Sequence, residues 1–292
     1  MGRKSCKIYT FFIIMKLTIA VLITVFNRKD KTIECLRRFY KQTPLQRCKI
    51  DVFLTDDGCT DGTPEAVIKE FPYVNIIKGN GKLFWNRGMY VAWEEAAKFD
   101  YDFYLWLNDD TFVYDNMLTS LLEASENKNN KAIIIGPTRS SVNKKTTYGG
   151  RLKNGSIPTP NGHLTKVDYF NGNIVLIPRS VYKELGNLDY YFTHSKGDFD
   201  YGLRANKAGI ELYQVGCYLG ECELHESLDK WCDPKILISE RWKAMKRPNG
   251  MPPNETFHLE KKHFGLIIAL FHYCTIYIRC FFPEIWLYKK KK

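Results

Sequence analysis

Leu105-Trp106-Leu107-Asn108-Asp109-Asp110-Thr111 is the stretch that decides how this chain folds. The mostly apolar residues 103–106 lead through Leu107 into two adjacent carboxylates. A short apolar run that ends in polar residues reads as a buried strand whose carboxyl end opens onto a site. Two carboxylates at such an end suit a hard divalent cation, magnesium or manganese, which takes oxygen ligands. A cation held there would in turn hold a diphosphate. The same residues also fit a solvated turn, because Asn and Asp are common turn formers, so the surrounding chain has to weigh between the two readings.

Outward from this strand the pattern alternates. Residues 17–26 are a continuous apolar run rich in β-branched side chains, the pattern of a parallel strand buried on both faces, with Asn27 and Arg28 at its carboxyl end. Residues 31–40 place Ile33, Leu36 and Phe39 on one helical face. A second strand, 50–54, ends in Thr55-Asp56-Asp57-Gly58, and Asp61-Gly62-Thr63-Pro64 opens the next helix. Residues 74–77 form a third strand. A glycine-rich aromatic loop, 79–88, leads into a helix over 89–97. After the strand at 103–107, a helix over 116–125 and a strand over 132–136 follow. Strands alternating with helices predict a parallel sheet covered by helices. Beyond that the character changes. Residues 146–168, rich in Gly, Pro, Asn and Thr, read as a hairpin or surface insertion, and 169–177 as a strand. Helices over 178–185 and 198–207 and a strand over 211–215 complete this region.

At 292 residues the chain can bury one large α/β core with an appendage. Its 43 Lys+Arg against 32 Asp+Glu give a formal charge of +11, which favours phosphorylated ligands or an anionic membrane surface. No zinc-finger spacing and no RNP-like aromatic motif is present, so nucleic acid is not the expected partner. Nine scattered cysteines, an odd number, read as reduced thiols of a cytosolic protein rather than a disulfide framework. Cys217, Cys222, Cys232 and His225 lack the tight pairing of a zinc site. Residues 1–15 read as a loose extension: a basic start and a short apolar stretch, with no small-residue cleavage site before Met15-Lys16-Leu17 begins the first strand. Residues 16–238 then form the main domain and 239–292 a helical, basic and aromatic segment. Within the latter, 264–282 are apolar but carry His272 and Arg279, which suits a membrane surface better than a span, and lysines occupy 289–292. A helical pair packed on the main domain is the other reading.

Three acidic clusters fall at strand ends or loops on one edge of the predicted sheet: Asp56 with Asp57, Asp109 with Asp110, and Asp198 with Asp200. Gathered like charges repel, so such a grouping calls for a cation or a hydrogen-bonding ligand. The order Val25-Phe26-Asn27-Arg28, then Asp56-Asp57-Gly58-Cys59-Thr60-Asp61-Gly62-Thr63, then Asn108-Asp109-Asp110, then Gly197-Asp198-Phe199-Asp200-Tyr201-Gly202-Leu203-Arg204 resembles the family 2 glycosyltransferases over about residues 16–225. The loop Gly81-Lys82-Leu83-Phe84-Trp85 resembles a rhamnosyltransferase-like subgroup of bacterial surface polysaccharide assembly.

The resemblance implies a GT-A fold, a Rossmann-like α/β architecture with a mostly parallel central sheet flanked by helices. It further implies a nucleotide-diphosphate sugar donor, Mn2+ or Mg2+, and inversion at the anomeric carbon. Carried over by position, Asp57 contacts the base or ribose with Asp56 beside it, Asp109 lies near the ribose, Asp110 binds the metal and Asp198 is the general base. His225 falls where relatives hold a histidine near the diphosphate or metal. Phe26, Arg28, Lys82 and Trp85 are further donor-side candidates, each with a plainer reading in the core or in solvent. Two departures stand out: Asn108 replaces the first acid of the usual Asp-x-Asp, and Gly197 stands where relatives often carry Glu. The expected acceptor is a glycan or a lipid-linked hydroxyl, and the expected location is cytoplasmic, peripheral on the inner face of the cell membrane. A degenerate sugar-nucleotide-binding module and a sugar nucleotidyltransferase are the alternatives. The latter is disfavoured because residues 21–28 lack a glycine-rich phosphate loop.

Overall fold

The structure, a computed structural model, describes residues 16–42, 48–224 and 229–285. His225, the extension 1–15 and the terminal lysines lie outside the described residues. In chain order the first half comprises β1 (Leu17–Val25), α1 (Lys29–Phe39), β2 (Cys48–Asp56), α2 (Thr63–Glu70), β3 (Asn75–Lys78), α3 (Phe84–Ala96), β4 (Phe103–Leu107), β5 (Phe112–Val113), α4 (Met117–Glu126) and β6 (Ile133–Ile135). The second half adds β7 (Thr138–Arg139), β8 (Gly150–Arg151), β9 (Thr165–Val167), β10 (Tyr169–Phe170), β11 (Ile174–Pro178), α5 (Arg179–Leu185), α6 (Gly197–Lys207), β12 (Leu212–Gln214), β13 (Gly220–Glu221), α7 (Ile238–Lys246), α8 (Pro253–Phe264) and α9 (Leu266–Phe281).

Eight strands form one sheet in the order β3-β2-β1-β4-β11-β6-β12-β9. Pairings β3–β2, β2–β1, β1–β4 and β6–β12 are parallel; β4–β11, β11–β6 and β12–β9 are antiparallel. Strands β1 and β4 are apolar along their length because both faces are covered: Val21, Ile23, Leu105 and Leu107 turn to the α1 and α4 side, while Leu22, Tyr104 and Trp106 pack with Trp93 and Tyr201 on the α3 and α6 side. Trp93 and Trp106 meet edge to face at 5.4 Å and are fully buried. Truncating either to Ala would cost about 3–5 kcal/mol.

The chain winds outward from β1 through β2 to β3, then returns to place β4 on the other side of β1. That reversal leaves a crevice beyond the carboxyl ends of β1 and β4, the usual ligand position in open α/β sheets. Arg28 follows one of these strands and Asp109 and Asp110 follow the other, so the topology itself brings them together.

Two predicted elements change form. Residues 169–177 do not run as one strand: β10 pairs with β8 in a separate ribbon, and β11 joins the main sheet after a break at 171–173. The break lies against the Trp85 ring, which leaves no room for a side chain at 172: a Cβ on Gly172 would lie 2.6 Å from it. The stretch 146–168 is not merely a surface hairpin, because its last residues form β9, the edge of the main sheet. Helix α3 starts at Phe84, earlier than its hydrophobic spacing indicates. Its first free N–H groups are taken up by Asp57, which accepts from Phe84 (2.8 Å), and by the Thr193 carbonyl, which accepts from Asn86 (3.1 Å).

At the C-terminus, α8 turns through Gly265, at φ +95°, and α9 packs back on it. Met245, Ile276, Cys280 and Trp231 form a small core, and buried Arg241 donates to the Cys280 carbonyl at 2.8 Å. The opposite face of α9 has no partner among the described residues: Ile267 (84% exposed), Phe271 (64%), Cys274, Ile278 and Phe281 form a continuous stripe at helical spacing. Among the described residues no helix is long and apolar enough to cross a membrane.

Candidate active site

Two adjoining cavities open from the crevice, of about 460 Å³ and 590 Å³. The first is bounded by Phe26, Arg28, Asp57, Gly81, Phe84 and Asn249. The second is bounded by Asn108, Asp110, Tyr148, Gly172, Lys196 and Asp198, with Met251, Thr256, Leu259 and Glu260 closing its far side. Arg28, Trp85, Asp109 and His194 line both. The sequence candidates Phe26, Arg28, Asp57, Trp85, Asp109, Asp110 and Asp198 thus share one crevice.

Asp57 is buried, and its carboxylate accepts the backbone N–H groups of Gly81 (2.9 Å), Leu83 (3.1 Å) and Phe84 (2.8 Å). It therefore shapes the glycine-rich loop while facing the first cavity. Asp56 and Lys82 lie outside both cavities. Asp56 Oδ1 accepts the Cys59 N–H at 2.8 Å and closes the turn, and Lys82 is exposed. Arg87 is likewise turned away, donating to the Tyr190 carbonyl and lying over the Tyr190 ring.

Arg28 Nη1 stands between the paired acids, 3.1 Å from Asp109 and 2.8 Å from Asp110. Burial raises Asp109 to about 7 against the pull of Arg28, and the neighbouring Asp110 adds to the rise. Asp110 is the more open of the two, with a quarter of its side chain exposed to the cleft. Asn108 does not share their role: its Oδ1 accepts the Trp85 indole N–H at 2.7 Å and fixes that ring across the crevice.

Among the described residues no group of three acidic, histidine or cysteine side chains surrounds a metal position. Two carboxylates that face a diphosphate-sized space nevertheless fit a magnesium-like ion, which commonly takes one or two protein carboxylates and completes its shell with phosphate oxygens and water. Asp110 and, behind it, Asp109 are the residues that would hold it, with the Arg28 guanidinium displaced.

Asp198 sits in the first turn of α6. Its Oδ2 accepts the Gly172 N–H at 3.1 Å and its Oδ1 the Phe199 N–H at 2.9 Å. Burial nevertheless lifts it to about 6, the backbone N–H groups and Arg151 opposing. An acid poised there holds its charge at neutral pH and still binds a proton well, which suits a general base. Asp200, two residues on, faces away from the cleft. It is fully buried and takes Lys262 (2.8 Å), His263 (2.7 Å) and Arg204 (2.9 Å). These partners hold it down at about 2 despite burial. It clasps α8 to α6.

His194, Lys196 and the wall from Asn249 to Glu260 are absent from any motif. His194 is held low, at about 4, by burial and by nearby Arg28 and Lys196. Lys196 adopts a left-handed backbone, φ +78°, just before α6, an uncommon conformation outside glycine. Asn27 (φ +50°) and Phe84 (φ +56°), on the first cavity, share this left-handed backbone.

A family model described as glycosyl transferase family 2 matches residues 20–186, more than half of the chain. The chain therefore belongs to glycosyl transferase family 2. Its fold is similar to that of TarS residues 1–349 from S. aureus in complex with UDP, with a TM-score of 0.54 and 15% identity over 71% of this chain and 61% of that one. It is also similar to the mannosyltransferase PcManGT from Pyrobaculum calidifontis in complex with GDP-Man and Mn2+, with a TM-score of 0.55 and 15% identity over 87% of this chain and 73% of that one. At such identities the likeness speaks for the fold alone. The chain spans about three fifths of TarS 1–349. No curated protein matches it.

Proposed function

We propose that this chain is an inverting hexosyltransferase that moves a sugar from a nucleotide-diphosphate donor to a hydroxyl of a glycan or lipid-linked acceptor, in the manner of the rhamnosyltransferase-like enzymes of surface polysaccharide synthesis. The observation that carries the reading is the position of Asp198. It lines the same cavity as Asp109 and Asp110, and that cavity joins a second one shaped by Phe26, Asp57 and Phe84.

In this reading the nucleotide occupies the first cavity, its base against Phe26 and Phe84 and near Asp57. The sugar reaches past Trp85 into the second cavity. Asp198 accepts the proton of the acceptor hydroxyl as its oxygen attacks the anomeric carbon from the face opposite the leaving nucleotide. Glu260, Leu259 and Met251 position the acceptor from the other wall. A manganese or magnesium ion held by Asp110 would offset the charge that grows on the departing diphosphate. His225, outside the described residues, remains a candidate to join it. The exposed stripe of α9 and the charge of +11 support peripheral docking on an anionic membrane, on the cytoplasmic face where nucleotide sugars are found. Residues 16–238 are assigned as the catalytic domain and 239–292 as the membrane-surface segment.

A thermal-shift screen with UDP-, GDP- and dTDP-sugars, with and without Mn2+, tests the reading. A metal-dependent rise with one nucleotide, followed by transfer to an acceptor, is the expected result. Binding without turnover or hydrolysis in folded protein would favour the degenerate binding module instead.

A further inference from the structure

His194 occupies the junction of the two cavities, with Arg28, Trp85 and Asp109 as its companions there. Its loop is fastened from two sides. The Thr193 carbonyl accepts the N–H groups of Asn86 (3.1 Å) and Arg87 (3.4 Å) at the start of α3. The Thr193 N–H and hydroxyl donate to Glu255 Oε1 on α8 at 3.3 Å and 2.8 Å. The ring itself is oriented: Nδ1 accepts the Trp85 N–H at 3.4 Å, and its edge lies against Phe84 at 6.1 Å. With Nδ1 serving as acceptor, the proton of the neutral imidazole resides on Nε2. No described residue accepts from Nε2. The ammonium of Lys196, which also lines the second cavity, has the Met251 sulfur at 3.6 Å as its one hydrogen-bond partner among the described residues.

A donor with its nucleotide in one cavity and its sugar in the other must pass its diphosphate through this junction. We infer that His194 donates its Nε2–H to the diphosphate of the bound donor and keeps that bond as the diphosphate leaves with the nucleotide. The inference rests on the transferase reading above and adds a residue to it. Burial and the flanking cations Arg28 and Lys196 keep the imidazole uncharged at neutral pH, so it acts as a fixed hydrogen-bond donor rather than as an acid. Held from both sides, it needs no reorganisation as charge moves onto the leaving group.

The test compares binding of nucleoside diphosphates and monophosphates. UDP, GDP, dTDP and CDP identify the base accepted by the unaltered full chain, and affinity for that diphosphate and its monophosphate is then measured by calorimetry in His194→Phe and His194→Gln. His194→Phe should weaken the diphosphate on the order of ten-fold, the loss of one charge-assisted hydrogen bond. The monophosphate should change less than about two-fold. His194→Gln, which retains an N–H donor, should recover most of the loss. Equal weakening of both ligands, or no weakening of either in a variant with unaltered circular dichroism, overturns the role of His194 and leaves the transferase reading standing. Should the unaltered chain bind none of the four diphosphates, with or without Mn2+, the transferase reading falls and this inference with it.

Discussion

The side chain of Asn86 fills the space that any side chain on Gly197 would need: a Cβ at 197 would lie 1.6 Å from Asn86 Oδ1. Asn86 cannot easily yield, since its Nδ2 donates to the carbonyls of Asp189 (2.9 Å) and Phe192 (2.7 Å). The acidic neighbour that the family resemblance leads one to expect before Asp198 has no room. Gly197→Ala should therefore destabilise the protein by about 1–3 kcal/mol, read as a lowered melting temperature. In a double-mutant cycle Asn86→Ala should relieve much of that cost. Additive losses would show that the two residues do not compete for the space.

Asp198 yields a prediction with opposite signs in two assays. Its native value of about 6 lies above the ordinary 3.8 of a carboxyl, so the fold holds its proton more tightly than the unfolded chain. Transfer should fall as pH drops through about 6, because the protonated acid cannot act as base. The ionised form costs stability at neutral pH. Asp198→Asn should therefore lower transfer by at least about 10²-fold, yet leave the melting temperature at pH 7.5 unchanged or raised. Nucleotide binding should persist. Retained transfer in this variant removes Asp198 from the role.

Arg28 and a divalent ion would compete for the same two carboxylates. Arg28→Ala should tighten binding of Mn2+ in the absence of nucleotide, on the order of ten-fold, by removing a like charge a few ångströms away. Donor affinity should fall in the same variant, because the guanidinium is then missing beside the diphosphate. Asp110→Asn should abolish any recovery of transfer by Mn2+ after chelation. Electron paramagnetic resonance of free Mn2+ reads the first effect directly, and weaker metal binding in Arg28→Ala would show that the guanidinium organises the carboxylates rather than blocking them.

The clasp on Asp200 should govern acid stability. Its native value of about 2 is below the unfolded value, so its contribution is complete above about pH 4 and is lost as pH falls toward 2. Asp200→Asn should cost about 3 kcal/mol, since Lys262, His263 and Arg204 then face a neutral group in a buried place. The variant should also flatten the loss of stability between pH 4 and 2, measured by urea unfolding at a series of pH values.

Membrane docking is tested on the exposed stripe. Replacing Ile267, Phe271 and Ile278 with Ser should weaken binding to vesicles containing anionic lipid, with little change in thermal stability, because none of the three is buried. Failure of the unaltered chain to bind such vesicles would remove the membrane from the account.

Much of the parallel half of the fold is legible in sequence. The runs at 17–26 and 103–107 are apolar because β1 and β4 are covered on both faces, and period alone identifies them. The crevice residues Arg28, Asp57, Asp109, Asp110 and Asp198 are legible because each follows a strand or opens a helix. Other features depend on contacts between distant segments. The glycine at 172, inside the break at 171–173, is required by the close approach of the Trp85 ring, a relation between residues far apart in the chain. The second use of Asp57, as acceptor for three backbone groups of its own loop, leaves no mark in the motif. His194 and the cleft wall on α8 are equally silent, since helix α8 by itself shows only an ordinary amphipathic pattern. Asn108 reads as a degraded metal ligand in sequence and proves to be the fixing point of the Trp85 indole.

The clasp between α6 and α8 has a geometric consequence. The same helix hairpin exposes an apolar stripe on α9, walls the second cavity through α8, and is bolted by Lys262 and His263 to the helix that carries Asp198. With the stripe lying on a bilayer, the height of the Asp198 carboxylate above the lipid becomes a built-in length. On the proposed reading the molecule would then work as a ruler, choosing among the hydroxyls of a tethered acceptor by their distance from the membrane as well as by their chemistry.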